Sequence, residues 1–147
     1  MAAKILCVED YEPTRAVMSA ALREFELTFA ASGRDALVQL NSTAFDALIL
    51  DVWLPDYDGI SLCRDIRRDD PHVPIICWTV AHRDETRERA LRAGVDVYLE
   101  KSPDSELLRD TTARLVRAAA GRFGQAAEKS GASPARAGAN LHGASSS

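Results

Sequence analysis

The chain holds three cysteines in 147 residues and none of them stands in a Cys-x-x-Cys pair. Cys7 and Cys77 fall in apolar strand segments and Cys63 in a helical one, which predicts three reduced, buried hydrophobes in place of a disulfide framework. No histidine stands at metal-ligand spacing from them, so a zinc site is not expected. No apolar run approaches the roughly 20 residues that span a bilayer. No signal-peptide h-region follows Met1, so a cytoplasmic location without membrane contact is expected. Gly-x-Gly-x-x-Gly and Walker-type loops are missing, which argues against dinucleotide or ATP binding. Excess positive charge is missing too. The net charge is −4, and residues 1–60 carry 4 basic against 10 acidic side chains. Direct nucleic-acid binding by this chain is therefore not expected.

What the chain has is a repeated alternation. Apolar runs at Lys4–Val8, Glu26–Ala30, Asp46–Leu50, Pro74–Thr79 and Val95–Glu100 recur at roughly twenty-residue steps and read as buried strands. Helical periodicity fills the gaps. Met18, Ala21, Leu22 and Phe25 form one apolar stripe, and Pro13 suits the first turn of that helix. Ser32 with Asp35 opens a second helix as a capping box. Ser102-Pro103-Asp104 starts a last one, whose stripe runs through Leu108, Thr111, Thr112 and Leu115. Asp84–Ala93 has only Ala90, Leu91 and Ala93 to bury, which leaves either a weakly held helix, suited to movement, or a merely exposed one. Five such βα units predict an α/β fold: a doubly wound, flavodoxin-like five-stranded parallel sheet in the order 2-1-3-4-5. One domain is expected over residues 1–121. Beyond Gly121 Ala, Gly and Ser dominate, so residues 122–147 are expected to form a disordered tail.

In that order the first and third strands meet at the switch point of the sheet, where open α/β folds bind ligands. Both strands end in acid: Glu9-Asp10 after the first, Asp51 after the third. Carboxylates about 4 Å apart repel by roughly 4 kcal/mol per pair at an effective dielectric of 20, which favours a bound cation. Oxygen-only ligands suit Mg²⁺, with Mn²⁺ as the alternative. The fourth and fifth strands end in Thr79 and Lys101. A hydroxyl and an ammonium beside a metal-bound carboxylate suit phosphoryl oxygens, with Asp51 as nucleophile. An aspartate-nucleophile phosphatase is disfavoured, because its sites resemble Asp-x-Asp and Trp53 holds the second position.

With these residues assembled, Lys4 to Arg117 resembles the receiver domain of bacterial two-component response regulators. The motifs are Glu9-Asp10, Asp51 ahead of Leu54-Pro55-x-x-Asp58-Gly59, Thr79, and Tyr98-x-x-Lys101. The resemblance implies phosphotransfer from a histidine kinase or histidine phosphotransfer protein onto Asp51. It implies Mg²⁺ held by Asp10, Asp51 and the backbone carbonyl of Trp53, with Glu9 acting through water. Thr79 and Tyr98 match the family's switch pair. The expected role is a stand-alone switch acting on a downstream protein, not an enzyme beyond its own phosphorylation and dephosphorylation. An unphosphorylated docking module and a fragment of a larger regulator or hybrid kinase are the alternatives. A homodimer through the fourth and fifth helices is left open.

Several positions depart from the family pattern. Val80 stands where a small residue is usual. Ser102 replaces the proline that usually follows the lysine across a cis bond, and since a cis Lys101–Ser102 bond costs about 3 kcal/mol, a cis bond is not assumed. Trp53 and Ala81 occupy the positions that tune phosphoryl lifetime, and neither side chain can orient an attacking water. A long-lived phosphorylated form is expected.

Overall fold

The structure is a computed structural model describing residues 1–80, 83–102 and 105–130, with side chains described to residue 121. Strands β1 (Lys4–Val8), β2 (Glu26–Ala30), β3 (Ala47–Leu50), β4 (Ile75–Thr79) and β5 (Val97–Glu100) alternate with helices. These are α1 (Glu12–Ala21), α2 (Gly33–Ser42), α3 (Gly59–Asp69), α4 (Asp84–Ala93) and α5 (Glu106–Ser130). All strand pairs are parallel and the sheet order is β2-β1-β3-β4-β5. The expected doubly wound flavodoxin-like topology is the observed one.

The apolar content of the strands explains the layering. β3 and β4 are buried at every residue, as strands covered on both faces must be. Alternate side chains feed two cores. Leu6, Val8, Leu48, Leu50, Ile75 and Cys77 face α2, α3 and α4. Ile5, Cys7, Ile49, Ile76 and Trp78 pack with Met18, Leu22 and Leu108 of the α1 and α5 side. The register sets β1 beside β3, with Val8 opposite Leu50, so Glu9 and Asp51 leave the sheet at the same edge.

Several boundaries differ from the sequence reading, each for a local reason. α1 stops at Ala21 with Leu22 as its C-cap, so Phe25 joins the core from the following turn and not from the helix. β3 starts one residue late because the Asp46 carboxylate turns back to accept the Lys4 amide at 2.7 Å. β5 starts at Val97, because Val95 is spent ending α4. Gly94 takes φ 112 and the Val95 amide donates to the Ala90 carbonyl, a left-handed helix stop that favours glycine. α5 begins at Glu106 and continues to Ser130, so the expected domain end at Gly121 falls inside the helix. Its Gln125-Ala126-Ala127-Glu128-Lys129 run is rich in helix formers, which outweigh the composition break. Residues 131–147 of the expected tail lie outside the described residues, as do Ala81, His82, Pro103 and Asp104.

The two ends of α4 are held differently. Arg67 on α3 donates to the carbonyls of Gly94, Asp70 and Val73 and pairs with Asp96 at 3.0 Å, so it pins the C-terminal end of α4. The N-terminal end, nearer the acidic site, has no side-chain cap at Arg83. Ala90 and Ala93 are its only fully buried residues.

All three cysteines are free and buried. Burial is the main cause that pushes the Cys7 and Cys77 thiols up to about 12 and Cys63 up to about 11. The thiolate is the reactive species. Alkylation of the folded protein at pH 8 is therefore expected to be at least about a hundredfold slower than in denaturant. Rapid labelling of any cysteine in the native state contradicts this packing.

Candidate functional site

β1 delivers Glu9 and Asp10, β3 delivers Asp51, β4 delivers Thr79 and β5 delivers Lys101 to one cup at the carboxyl edge of the sheet. One carboxylate oxygen from each of Glu9, Asp10 and Asp51 lies within 4.8 Å of the others. Glu9 is 2% exposed and Asp51 6%, whereas Asp10 opens to solvent. The Thr79 hydroxyl donates to Asp51 Oδ1 at 2.9 Å. Lys101 Nζ donates to Asp51 Oδ2 at 2.8 Å and to Glu9 Oε1 at 2.5 Å. The Trp53 amide also donates to Asp51 Oδ1, at 3.2 Å. The carboxylate of Asp51 is thus met by a hydroxyl, an amide and an ammonium.

The electrostatics follow from this packing. Burial is the largest influence on Glu9 and pushes its carboxyl up, against the opposing pull of Lys101. Burial also disfavours the Lys101 ammonium, but hydrogen bonds and charge from Asp51 and Glu9 outweigh it and its pKa goes up. Lys101 therefore stays charged and balances one carboxylate of the three. The remaining negative charge, offered through oxygen atoms partly open to water, fits a hard divalent cation such as Mg²⁺.

The loop after β3 is shaped by sterics. Trp53 and Asp58 form an antiparallel bridge, and the Gly59 amide donates to the Val52 carbonyl at 2.9 Å. A Cβ on Gly59 would stand 2.1 Å from the Asp51 carbonyl oxygen. Only glycine lets α3 start this close to the phosphoacceptor candidate. Asp58 caps α3 through the Ile60 amide and faces Arg89 of α4 at 3.6 Å. Trp53 is 64% exposed and Val80 57%, both at the rim of the cup. Between this loop and α4 lies an open cleft bordered by Trp53, Tyr57, Thr86 and Arg89.

Glu9, Asp10, Asp51, Thr79 and Lys101 come together, and Trp53 touches Asp51 through its backbone. Tyr98 on β5 packs against the core from a half-buried position, where burial foremost pushes its hydroxyl up to about 12. The Lys101–Ser102 bond is trans. Ala81 lies outside the described residues.

Two supports were not anticipated. Arg15 on α1 donates from Nε to the Glu9 carbonyl at 2.7 Å and lies over the Phe29 ring at 5.5 Å, which braces the β1 turn. Asp56 reaches from the β3–α3 loop to the first turn of α2, accepting the amides of Gly33 at 2.9 Å and Arg34 at 3.1 Å. Chiefly the Gly33 donation holds its carboxyl below the usual range. No spacing in the sequence shows either contact, since both join segments that only the fold brings together.

Comparison with known proteins agrees with this geometry. Residues 5–113 match the response regulator receiver domain family. The chain is 34% identical over 144 residues to the transcriptional regulatory protein ZraR of Salmonella typhimurium, covering 89% of this chain and 32% of that one. It is 31% identical over 114 residues to the response regulator protein VraR of Staphylococcus epidermidis, covering 75% and 54%. It thus spans about a third to a half of those curated relatives. Among solved structures, the beryllofluoride-activated DrrB receiver domain superposes with TM-score 0.74 at 30% identity, over 80% of this chain and 99% of that one. The receiver domain of the Pseudomonas aeruginosa sensor histidine kinase PA1611, which has a magnesium ion coordinated in its active-site cleft, gives 0.72 at 32%, over 79% and 98%.

The strand order, the acidic cup and these matches define a two-component signalling module. The chain belongs to the response regulator receiver domain family. Among its described residues no helix is long and apolar enough to cross a membrane.

Proposed function

We propose that this chain is a phosphorylation-dependent switch in which Asp51 accepts a phosphoryl group from a histidine kinase or a histidine phosphotransfer protein. The observation that carries the reading is the shared hydrogen bonding of Asp51 by Thr79 and Lys101 beside the Glu9 and Asp10 carboxylates. Asp51 attacks phosphorus through a carboxylate oxygen, an acyl phosphate forms, and the donor leaves with the former bonding pair. Lys101 supplies a fixed positive charge next to the incoming phosphoryl oxygens. Thr79 rotates its hydroxyl from the carboxylate to a phosphoryl oxygen. Asp10, Asp51 and the Trp53 carbonyl would hold Mg²⁺, with Glu9 acting through water, and such an ion would supply positive charge to offset that of the phosphoryl oxygens.

The half-buried Tyr98 reads this change. When Thr79 moves toward the phosphoryl group, space beside β5 opens to the ring, and the two arrangements form a biased two-state equilibrium. The uncapped first turn of α4 is the segment most easily displaced with it. The output goes through protein contacts, in keeping with the acidic first half of the chain, and the protein turns over no substrate beyond its own acyl phosphate. We assign it a cytoplasmic site of action.

The test is a labelling assay with acetyl phosphate in the presence of Mg²⁺. The expected result is stoichiometric incorporation on one residue, abolished by excess EDTA. Incorporation that is indifferent to EDTA contradicts the proposal. Trp53 offers no group to orient water, so the acyl phosphate is also expected to outlast the scale of seconds in buffered Mg²⁺. Loss of the label within seconds contradicts that lifetime.

A further inference from the structure

The α2 ladder starts with the Ala36 amide on the Ser32 carbonyl, so the amides of Gly33, Arg34 and Asp35 need partners from outside it. Ser32 accepts the Asp35 amide on its hydroxyl. The other two, Gly33 and Arg34, are met by Asp56, one to each carboxylate oxygen. Asp56 sits in the loop that runs from Asp51 to α3, and not near α2 in sequence. The helix end is therefore capped in trans by the same loop that carries Trp53.

The adjoining packing shows that the contact is close. A Cβ on Gly33 would stand 2.5 Å from Tyr57 Cβ, so the loop lies flat on the start of α2. At its stem the loop is closed by the Trp53–Asp58 bridge and by the Gly59 amide on Val52. Its far end is fastened by Asp56. Fixed at stem and tip, the loop cannot swing its backbone away from Asp51 without leaving two helix amides unpaired. Charge reinforces the tie, because a carboxylate is stabilised at the positive end of a helix dipole.

We infer that Asp56 is a positioning residue for magnesium: by clamping the loop to α2, it holds the Trp53 backbone carbonyl in place for the ion. The inference rests on the proposed Mg²⁺ site and adds a residue outside it. Partners one step removed from metal ligands commonly change affinity by 10–100-fold when removed.

The test is calorimetric titration of MgCl₂ into wild type, Asp56→Ala, Asp56→Asn and Ser32→Ala, with thermal melting of each in EDTA. Ser32→Ala removes a cap from the same helix end without touching the loop, so it reports a merely structural effect. Asp56→Ala is expected to weaken Mg²⁺ binding about tenfold, at the low end of that range. Asp56→Asn, which keeps one acceptor oxygen, is expected between it and wild type. Ser32→Ala is expected to lower the melting temperature yet bind Mg²⁺ like wild type. Unchanged binding in Asp56→Ala, or equal weakening in Ser32→Ala, overturns the inference while leaving the metal site intact. Failure of the wild type to bind Mg²⁺ overturns the proposed site itself, and the inference with it.

Discussion

Replacing Asp51 by Asn is expected to abolish phosphoryl incorporation from acetyl phosphate while the fold persists. The amide keeps an acceptor oxygen for Thr79 and for the Trp53 amide, both of which now bond to Oδ1. It loses the negative oxygen that faces Lys101 at 2.8 Å, and with it the proposed nucleophile. Lys101 retains its pair with Glu9, so the substitution leaves no buried charge alone. Circular dichroism should match wild type and labelling should fall to background. Residual labelling at a substantial fraction of wild type would place the acceptor elsewhere.

The second large effect is steric. Gly59→Ala puts a methyl group 2.1 Å from the Asp51 carbonyl oxygen and 2.8 Å from the Val52 Cα, both backbone atoms that cannot turn aside. Overpacking of this kind costs about 3 kcal/mol. Relief requires α3 or the Asp51 loop to shift, and misplacing a reacting group by about 1 Å can cost on the order of 10²-fold in rate. Urea unfolding should show the lost stability, and labelling should slow by about a hundredfold. Gly121→Ala is the control, since nothing lies within 4 Å of its added methyl group. That change should stabilise the protein by up to about 1 kcal/mol through helix propensity. A Gly59→Ala protein as stable and as readily labelled as wild type contradicts the packing described.

The sheet and its order were legible because the strands are short, apolar and separated by amphipathic segments. A strand such as Ala47–Leu50, buried throughout, can be nothing but central in a parallel sheet. The acidic cup was legible for a related reason: strand ends in this topology converge, so Glu9, Asp10, Asp51, Thr79 and Lys101 are assembled by the order alone. Details that depend on where a polar side chain turns were not. Lys101 reads as a phosphoryl partner, yet it also pairs with Glu9 across 92 residues of chain. Asp56 stands at an unassigned position of the motif, and its partners Gly33 and Arg34 lie more than twenty positions away. A Gly and Ala-rich composition does not distinguish a loose tail from a helix, and α5 runs past Gly121 to Ser130. Phe25 was put on α1 because helical spacing continues past the residue where Leu22 closes the helix.

The most direct measurement is to phosphorylate the wild type, reduce the acyl phosphate with borohydride, and locate the modified residue by tandem mass spectrometry. The account predicts homoserine at position 51 and nowhere else, formed only when Mg²⁺ was present. Modification at another carboxylate, or an unmodified Asp51 in fully labelled protein, contradicts it.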